Sequence, residues 1–197
     1  MATTAPRYPA RLGLEAPEKV ANWRPLVHWL LAIPQVLVAQ ALQPVRQVLQ
    51  FISFFAILFT KKIPPQIFDV IVMAYRYEWR VTSYALWMRE SYPPFSFTPT
   101  AQDDNADPAS ISVDYPAELN RWLPLVKWLL AIPHYIVLAF LGVAAAVVAI
   151  MAFFAVLFTG RYPKGLREFL VGVSRWSFRV RTYVGLLTDV YPPFSLQ

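Results

Sequence analysis

Residues 123–159 read LPLVKWLLAIPHYIVLAFLGVAAAVVAIMAFFAVLFT, a stretch that is nearly all apolar and carries one charge, at Lys127. As one continuous helix it would be roughly 55 Å long, because an α-helix rises about 1.5 Å per residue. The hydrocarbon core of a bilayer is only about 30 Å thick. Two short crossings joined by a tight turn would use nearly all of this length, whereas one crossing would leave almost half of it outside the hydrocarbon.

The whole chain has the composition of a membrane protein. Of its 197 residues, 57% are hydrophobic and 15% are charged, whereas roughly 25% are charged in an ordinary soluble domain. Apolar runs of this length are the usual sign of a membrane span. A soluble protein with an oversized core is the weaker alternative. The N-terminal residues contain no apolar run of the kind found in secretory signals, so no cleaved signal is expected.

The sequence contains an internal tandem duplication, which a shift of 99 residues reveals. Three motifs align without a gap: WRPLVHWLLAIP (23–34) with WLPLVKWLLAIP (122–133), FFAILFT (54–60) with FFAVLFT (153–159), and YPPFS (92–96) with YPPFS (191–195). Such a repeat predicts two copies of one structural unit. The first unit covers residues 8–97 and the second covers 112–197, with a polar, acidic linker at 98–111 that we expect to be solvated.

Polar residues interrupt the apolar run of the first unit near its middle, at Gln40, Gln43, Pro44, Arg46, Gln47 and Gln50. A charge and several amides in the middle of a bilayer would cost a few kcal/mol each. A turn at 43–47, placed at the far headgroup region, removes this cost, and Pro44 suits the first turn of a new helix. The aligned residues 142–146, Gly-Val-Ala-Ala-Ala, also suit a turn. Each apolar run therefore predicts a transmembrane helical hairpin.

The alternative is a single span in each unit, at 36–60 and at 135–159. The polar linker cannot cross a membrane, so the two units would then face opposite ways. Lys and Arg flank the apolar run in the same manner in both units, and cytoplasmic flanks carry an excess of these residues, which favours hairpins. Hairpins place every Lys and Arg except Arg46 in the cytoplasm. The preferred prediction is a multi-pass protein with both termini cytoplasmic.

A short alternating segment precedes each apolar run, and an amphipathic segment follows it. The alternation near 11–15 and 110–114 indicates possible short strands, which could pair with each other. In the second unit, Leu166, Phe169 and Val173 share one helical face, and the first unit repeats this pattern. Such helices commonly lie in the membrane interface, although this face could equally pack on the hairpins. The predicted fold class is mainly α, integral membrane, with a hairpin and an interfacial helix in each of two tandem repeats.

Two pairs of arginines are the sharpest polar feature: Arg76 with Arg80, and Arg175 with Arg179. Like charges four residues apart on a helix repel each other, so their presence in both units suggests an anionic partner. Lipid phosphates are the nearest candidate, and a solvated basic face is the alternative. Tryptophans at the start of each apolar run read as interfacial anchors, with core packing as the alternative: Trp23, Trp29, Trp122 and Trp128. Trp79 and Trp176 allow the same interpretation.

No constellation for catalysis, cofactor binding or metal binding is found. His28 and His134 do not coincide in the repeat, cysteine is absent, and no glycine-rich phosphate loop or nucleophile elbow is present. Each histidine is expected to be a packing residue. The net charge of +6 is too small to indicate nucleic acid. We therefore expect a protein that is not an enzyme, has no cofactor, and has membrane lipids as partners.

The motifs resemble those of a bacterial integral membrane family known only as a domain of unknown function. The second unit carries RWLPLVKWLLAIPHYIVL, FFAVLFTGRYP, RWSFRV and YPPFSL across nearly its full length. The first unit is a diverged copy, with KKIPPQ at 61–66 in place of GRYPKG at 160–165. The resemblance implies a location in the bacterial inner membrane, and it implies no activity, substrate or catalytic residue.

Three functions remain open from the sequence. The preferred one is a non-enzymatic membrane module that acts as a scaffold, shapes the bilayer or serves as an accessory subunit, contacting anionic lipid, other membrane proteins or further copies of itself. The second is a channel or transporter subunit, in which an oligomer lines a pore with Gln40, Gln43 and Gln47. The absence of Asp and Glu from the spans weakens this second function. A lipid-handling enzyme ranks last, because no nucleophile and base are paired.

Overall fold

A computed structural model describes residues 8–103 and 107–197, and it is mainly helical. Both units have the same order of elements, namely a strand, a long apolar helix and a second helix. The first unit contains β1 (Ala10–Leu14), α1 (Arg24–Thr60) and α2 (Pro65–Ala85). The second contains β2 (Ala109–Val113), a 3₁₀ turn (Leu123–Leu125), α3 (Lys127–Leu130), α4 (Ile132–Thr159) and α5 (Lys164–Val184).

The helical hairpins predicted from the sequence are wrong. α1 is one continuous helix that passes through both Pro34 and Pro44, and α4 continues without a turn through residues 142–146. The polar middle of α1 needs no turn because α2 supplies its partners. Arg46 Nη1 lies 2.6 Å from a carboxylate oxygen of Glu78, and Gln50 Nε2 donates to the hydroxyl of Tyr75 over 3.1 Å.

The two short strands are confirmed, and they pair with each other in an antiparallel ribbon. Leu12 lies opposite Ile111 in this ribbon. These two residues occupy the same position in the two units, because they are 99 residues apart. A pseudo-two-fold axis therefore passes between them and relates one unit to the other. β2 begins at Ala109, slightly before the predicted start of the second unit at residue 112.

α1 and α4 run in opposite directions, and each begins beside the end of the other. The N–H of Val20, just before α1, donates to the carbonyl of Gly160 at the end of α4 over 3.1 Å. The equivalent N–H of Leu119 donates to the carbonyl of Lys61 over 2.9 Å. Because both junctions use equivalent residues, the pseudo-two-fold axis also passes about midway along this helix pair.

α2 and α5 form the layer between the ribbon and the α1/α4 pair. α2 packs on α1 and on β2, while α5 packs on α4 and on β1. The two helices meet near the pseudo-axis, where the rings of Tyr75 and Phe178 have centroids 5.6 Å apart. Many residues on both sides of α2 are buried, so it does not lie on the surface as an interfacial helix would. The packing alternative for these helices is the one that the structure favours.

Candidate functional site

The side of α1 and α4 that faces away from α2 and α5 is a long, exposed apolar surface, which we call the outer face. On α1, the side chains of His28, Gln35 and Ile57 are buried, whereas large apolar side chains on the opposite side of the helix are exposed. Both helices are long and apolar enough to span a membrane. Prominent side chains of the outer face are Leu26, Leu37, Val48, Phe55 and Phe59 on α1, and Ile136, Phe140, Val147 and Phe158 on α4. The outer face is far larger than the apolar patches exposed on ordinary soluble proteins.

The four tryptophans predicted as anchors are exposed, at the beginning of the two apolar segments. Trp23, Trp29, Trp122 and Trp128 expose between 54% and 65% of their surface. The indole N–H of Trp29 donates to the carbonyl of Leu26 over 2.6 Å, so its polar atom is already satisfied. Trp79 and Trp176 differ, because both are buried and donate to groups inside the molecule. These last two are packing residues.

Arg76 and Arg80 are buried between α2 and the linker, with 2% and 1% of their surface exposed. Asp103 lies 3.3 Å from Arg76 Nε and 3.0 Å from Arg80 Nη2. Asp107 lies 3.6 Å from Arg80 Nε and 2.5 Å from Arg89 Nη1. We call these five residues the arginine–aspartate cluster. The prediction of a solvated linker is therefore wrong at Asp103 and Asp107, which are buried against the charged groups of α2.

The equivalent arginines of the second unit, Arg175 and Arg179, are half-buried and bind main-chain oxygens. Arg175 Nε donates to the carbonyl of Leu12 over 3.0 Å, and Arg179 Nη2 donates to that of Gln197. Burial and the neighbouring charge of Arg175 lower the pKa of Arg179 below its usual value. All four arginines face the ribbon, on the opposite side of α2 and α5 from the outer face. Their position therefore gives no support to the hypothesis that they contact lipid phosphates.

A second charged cluster joins the two units, and no sequence pattern predicted it. Glu78 of α2 accepts hydrogen bonds from Arg46 of α1 and from Arg181 of α5. The cluster borders a cavity of about 460 Å³ between α1 and the start of α4, which Gln47 and Gln50 also line. Gln40, Gln43 and Gln47 are exposed along the side of α1. The cluster bridges three helices and accounts for the charge in the middle of α1.

Acidification should weaken this bridge between the units. Burial alone would raise the pKa of Glu78, but the charges and hydrogen bonds of Arg181 and Arg46 together lower it. A carboxylate with a lowered pKa in the folded state stabilises the protein above its unfolded pKa of about 4.3, and this stabilisation is lost as the pH falls through the folded value. We expect Glu78→Gln to cost about 1.5–3 kcal/mol of unfolding free energy at pH 7.

Denaturation in detergent micelles, followed by tryptophan fluorescence between pH 7 and pH 3, measures this effect. The difference between the unaltered chain and Glu78→Gln should shrink below about pH 4. A difference that stays constant down to pH 3 would show that the ionised carboxylate is not what holds the three helices together.

The two histidines are packing residues, as expected. His28 stacks on Tyr84 with ring centroids 4.2 Å apart, and His134 stacks on Phe194 at 4.0 Å. Lys127 takes the place of His28 in the second unit, and its Nζ lies 2.8 Å from a carboxylate oxygen of Asp189. Within residues 8–103 and 107–197, no three His, Asp or Glu side chains are arranged to hold a metal ion.

Comparison with protein families identifies both units. The model for a domain of unknown function, DUF4389, matches residues 22–96 and again residues 122–195. The chain belongs to the DUF4389 family. It contains two DUF4389 units in tandem, and each match begins at the tryptophan-containing segment and ends within YPPFS. No curated protein and no solved structure matches the chain.

Proposed function

We propose that this tandem DUF4389 protein is a non-enzymatic module embedded in one leaflet of the bacterial inner membrane, with α1 and α4 lying along the membrane plane. On this proposal it shapes the bilayer and presents the ribbon side to the cytoplasm as a scaffold. The observation that carries the proposal is the outer face, which extends over the whole length of both helices. From Leu26 to Phe59 it is roughly 50 Å long, whereas the hydrocarbon is about 30 Å thick.

The pseudo-two-fold symmetry also favours an in-plane arrangement over a spanning one. The ribbon lies on the same axis as the middle of α1 and α4. If these helices spanned the membrane upright, the ribbon would lie at mid-bilayer depth. Its exposed ion pair between Arg11 and Asp114 would then be in the hydrocarbon, where charges cost several kcal/mol. With the helices in the plane, the ribbon projects into water.

The basic residues at the helix ends give the third argument. Lys19 and Arg161 lie at one end of the antiparallel pair, and Lys61 and Lys62 lie at the other. All four are exposed. Upright helices would place one of these groups on each side of the membrane, against the positive-inside tendency. In-plane helices place both groups on the cytoplasmic surface, where anionic lipids attract them.

Insertion into one leaflet supplies the physical basis for bilayer shaping. The hairpins predicted from the sequence would put more protein volume in one leaflet than in the other, and the continuous helices remove that basis. Helices lying in one leaflet restore it, because their volume expands that leaflet and not the other. The outer face suits this position because its prominent side chains are those of Phe, Leu, Val and Ile.

Depth measurements in vesicles test the arrangement, using the absence of native cysteine. Spin labels at Ile136→Cys, Val147→Cys and Phe158→Cys lie on one face of α4 over about 33 Å. The in-plane proposal predicts equal depth for all three, with a label at Asp114→Cys in water. Upright helices predict positions 136 and 158 at opposite surfaces, position 147 at the centre and position 114 at a similar central depth. That second pattern would overturn the proposal.

Vesicle shape tests the proposed role separately. Vesicles of neutral and anionic lipid, reconstituted at high protein density, should shrink in radius or form tubules. If the spin labels report in-plane helices but the vesicles keep their shape, bilayer shaping is overturned and the scaffold function is the one that remains.

A channel or transporter subunit is the second candidate, and the exposed row of Gln40, Gln43 and Gln47 favours it. This function requires upright helices in an oligomer, so the label depths discriminate between the two. Ion flux that disappears in the variant Gln40→Leu with Gln43→Leu would support it.

A further inference from the structure

The two edges of the ribbon are chemically different. Asp114 N–H donates to Pro9 and Glu15 N–H donates to Pro108, which makes 9/114 and 15/108 hydrogen-bonded pairs. Such pairs alternate along an antiparallel ribbon, so Leu12 and Ile111 form a non-hydrogen-bonded pair whose N–H groups point outward. Each strand therefore presents a row of outward donors along its outer edge.

The linker covers the outer edge of β2. The outward N–H of Ile111 donates to Asp103 over 3.2 Å, and that of Val113 donates to the carbonyl of Ala101 over 3.1 Å. The carboxylates of the same segment neutralise Arg76 and Arg80. Residues 99–103 thus act as an extended acidic segment that adds to the ribbon edge and lies on the arginines of α2.

The outer edge of β1 has equivalent donors and lies on equivalent arginines, but among the described residues no Asp or Glu pairs with Arg175 or Arg179. Within the described part of the chain, no residue accepts a hydrogen bond from the outward N–H of Leu12 or Leu14. In the first unit, the positions equivalent to Asp103 and Asp107 are occupied by Thr4 and Tyr8, which carry no carboxylate. Residues 1–7 contain no Asp or Glu and include Arg7, so their charge does not complement Arg175 and Arg179.

A cavity of about 270 Å³ lies at this edge, bordered by Arg11, Leu12, Arg175 and Arg179. The Nε of Arg179 is buried without a hydrogen-bond partner among the described residues. Arg11 is paired with Asp114, whereas the described partners of Arg175 and Arg179 are main-chain oxygens of Leu12, Ser195, Leu196 and Gln197, so neither of these two charges is paired with an Asp or Glu among the described residues. The site combines two cations with a strand edge whose outward N–H groups have no acceptor among the described residues, and the other half of the same chain shows what such a site binds.

We propose that the outer edge of β1, with Arg175 and Arg179, binds an extended acidic segment of a partner protein, which adds to the ribbon as residues 99–103 add to β2. Addition of a strand to an exposed edge is an established mode of peptide recognition, in which main-chain hydrogen bonds give affinity and side-chain pockets give specificity. Specificity here comes from carboxylates spaced as in Asp103 and Asp107. This inference does not depend on how α1 and α4 lie in the membrane.

Binding of a labelled peptide with the sequence of residues 99–108, PTAQDDNADP, to the purified chain in detergent micelles tests the proposal. Fluorescence anisotropy should show saturable binding. A peptide with all three Asp replaced by Asn, and the protein variant Arg179→Gln, should each weaken binding at least about tenfold, because charge-assisted hydrogen bonds are lost. Arg161→Gln is the matched control, since Arg161 is exposed and remote from this edge, and it should leave the affinity unchanged.

Amide hydrogen exchange on the unaltered chain gives a readout that does not require a variant to fold. The bound peptide should slow exchange at the N–H groups of Leu12 and Leu14, while the N–H of Ile111, already bonded to Asp103, should not change. Equal affinity for the acidic and the Asn peptides would overturn the proposal. So would an absence of binding at millimolar peptide, or protection at neither Leu12 nor Leu14.

Discussion

Replacing Asp103 with asparagine is expected to lower the free energy of unfolding by about 3–5 kcal/mol, the cost of breaking a buried ion pair from one side. Asp103 exposes 4% of its side chain and holds the guanidinium groups of both Arg76 and Arg80. Asparagine keeps the shape but removes the negative charge. The loss removes the carboxylate that the buried guanidinium groups of Arg76 and Arg80 share.

The matched control for this prediction is Asp114→Asn. Asp114 also pairs with an arginine, Arg11, but the two side chains expose 50% and 31% of their surface. An exposed ion pair contributes about 0–1 kcal/mol, so the control should lose little stability. Chemical denaturation of both variants in the same micelles, followed by tryptophan fluorescence, compares them directly. Equal losses would show that burial of the arginine–aspartate cluster does not stabilise the fold.

Elements that depend on local pattern could be predicted from the sequence. The 99-residue repeat gave two equivalent units, and the alternation at Leu12 and Ile111 predicted two strands that pair across the repeat. The three-to-four spacing after each apolar run predicted α2 and α5. The alternation and the helical spacing each lie within a few neighbouring residues, where period and propensity act, and the repeat is visible in the sequence itself.

Features that depend on distant partners could not be predicted in the same way. Arg46 suggested a turn because its partner, Glu78, lies 32 residues away on another helix. Asp103 and Asp107 suggested a solvated linker because Arg76 and Arg80, which pair with them, belong to α2. In both cases the sequence showed an expensive charge, and only the tertiary structure showed what neutralises it. One signal was available: no Asp or Glu lies three or four residues from Arg76 or Arg80, where a partner on the same helix would have to be.

Charges placed on the outer face are expected to abolish membrane association of the chain. Phe140 and Val147 lie near the middle of α4 and expose 74% and 54% of their surface. Each aspartate in the hydrocarbon costs about 2.5–3.5 kcal/mol. The double variant Phe140→Asp with Val147→Asp should therefore partition into vesicles roughly four orders of magnitude more weakly.

The fold itself should tolerate this double change, because neither side chain belongs to the buried core. Flotation of the micelle-purified protein with vesicles after detergent removal measures the partition. Thr98→Asp is the control, since Thr98 is an exposed residue of the linker, and an added charge there should leave the protein in the vesicle fraction. If the double variant floated like the unaltered chain, the outer face could not lie in hydrocarbon, and its exposed apolar side chains would instead require cover by another protein surface.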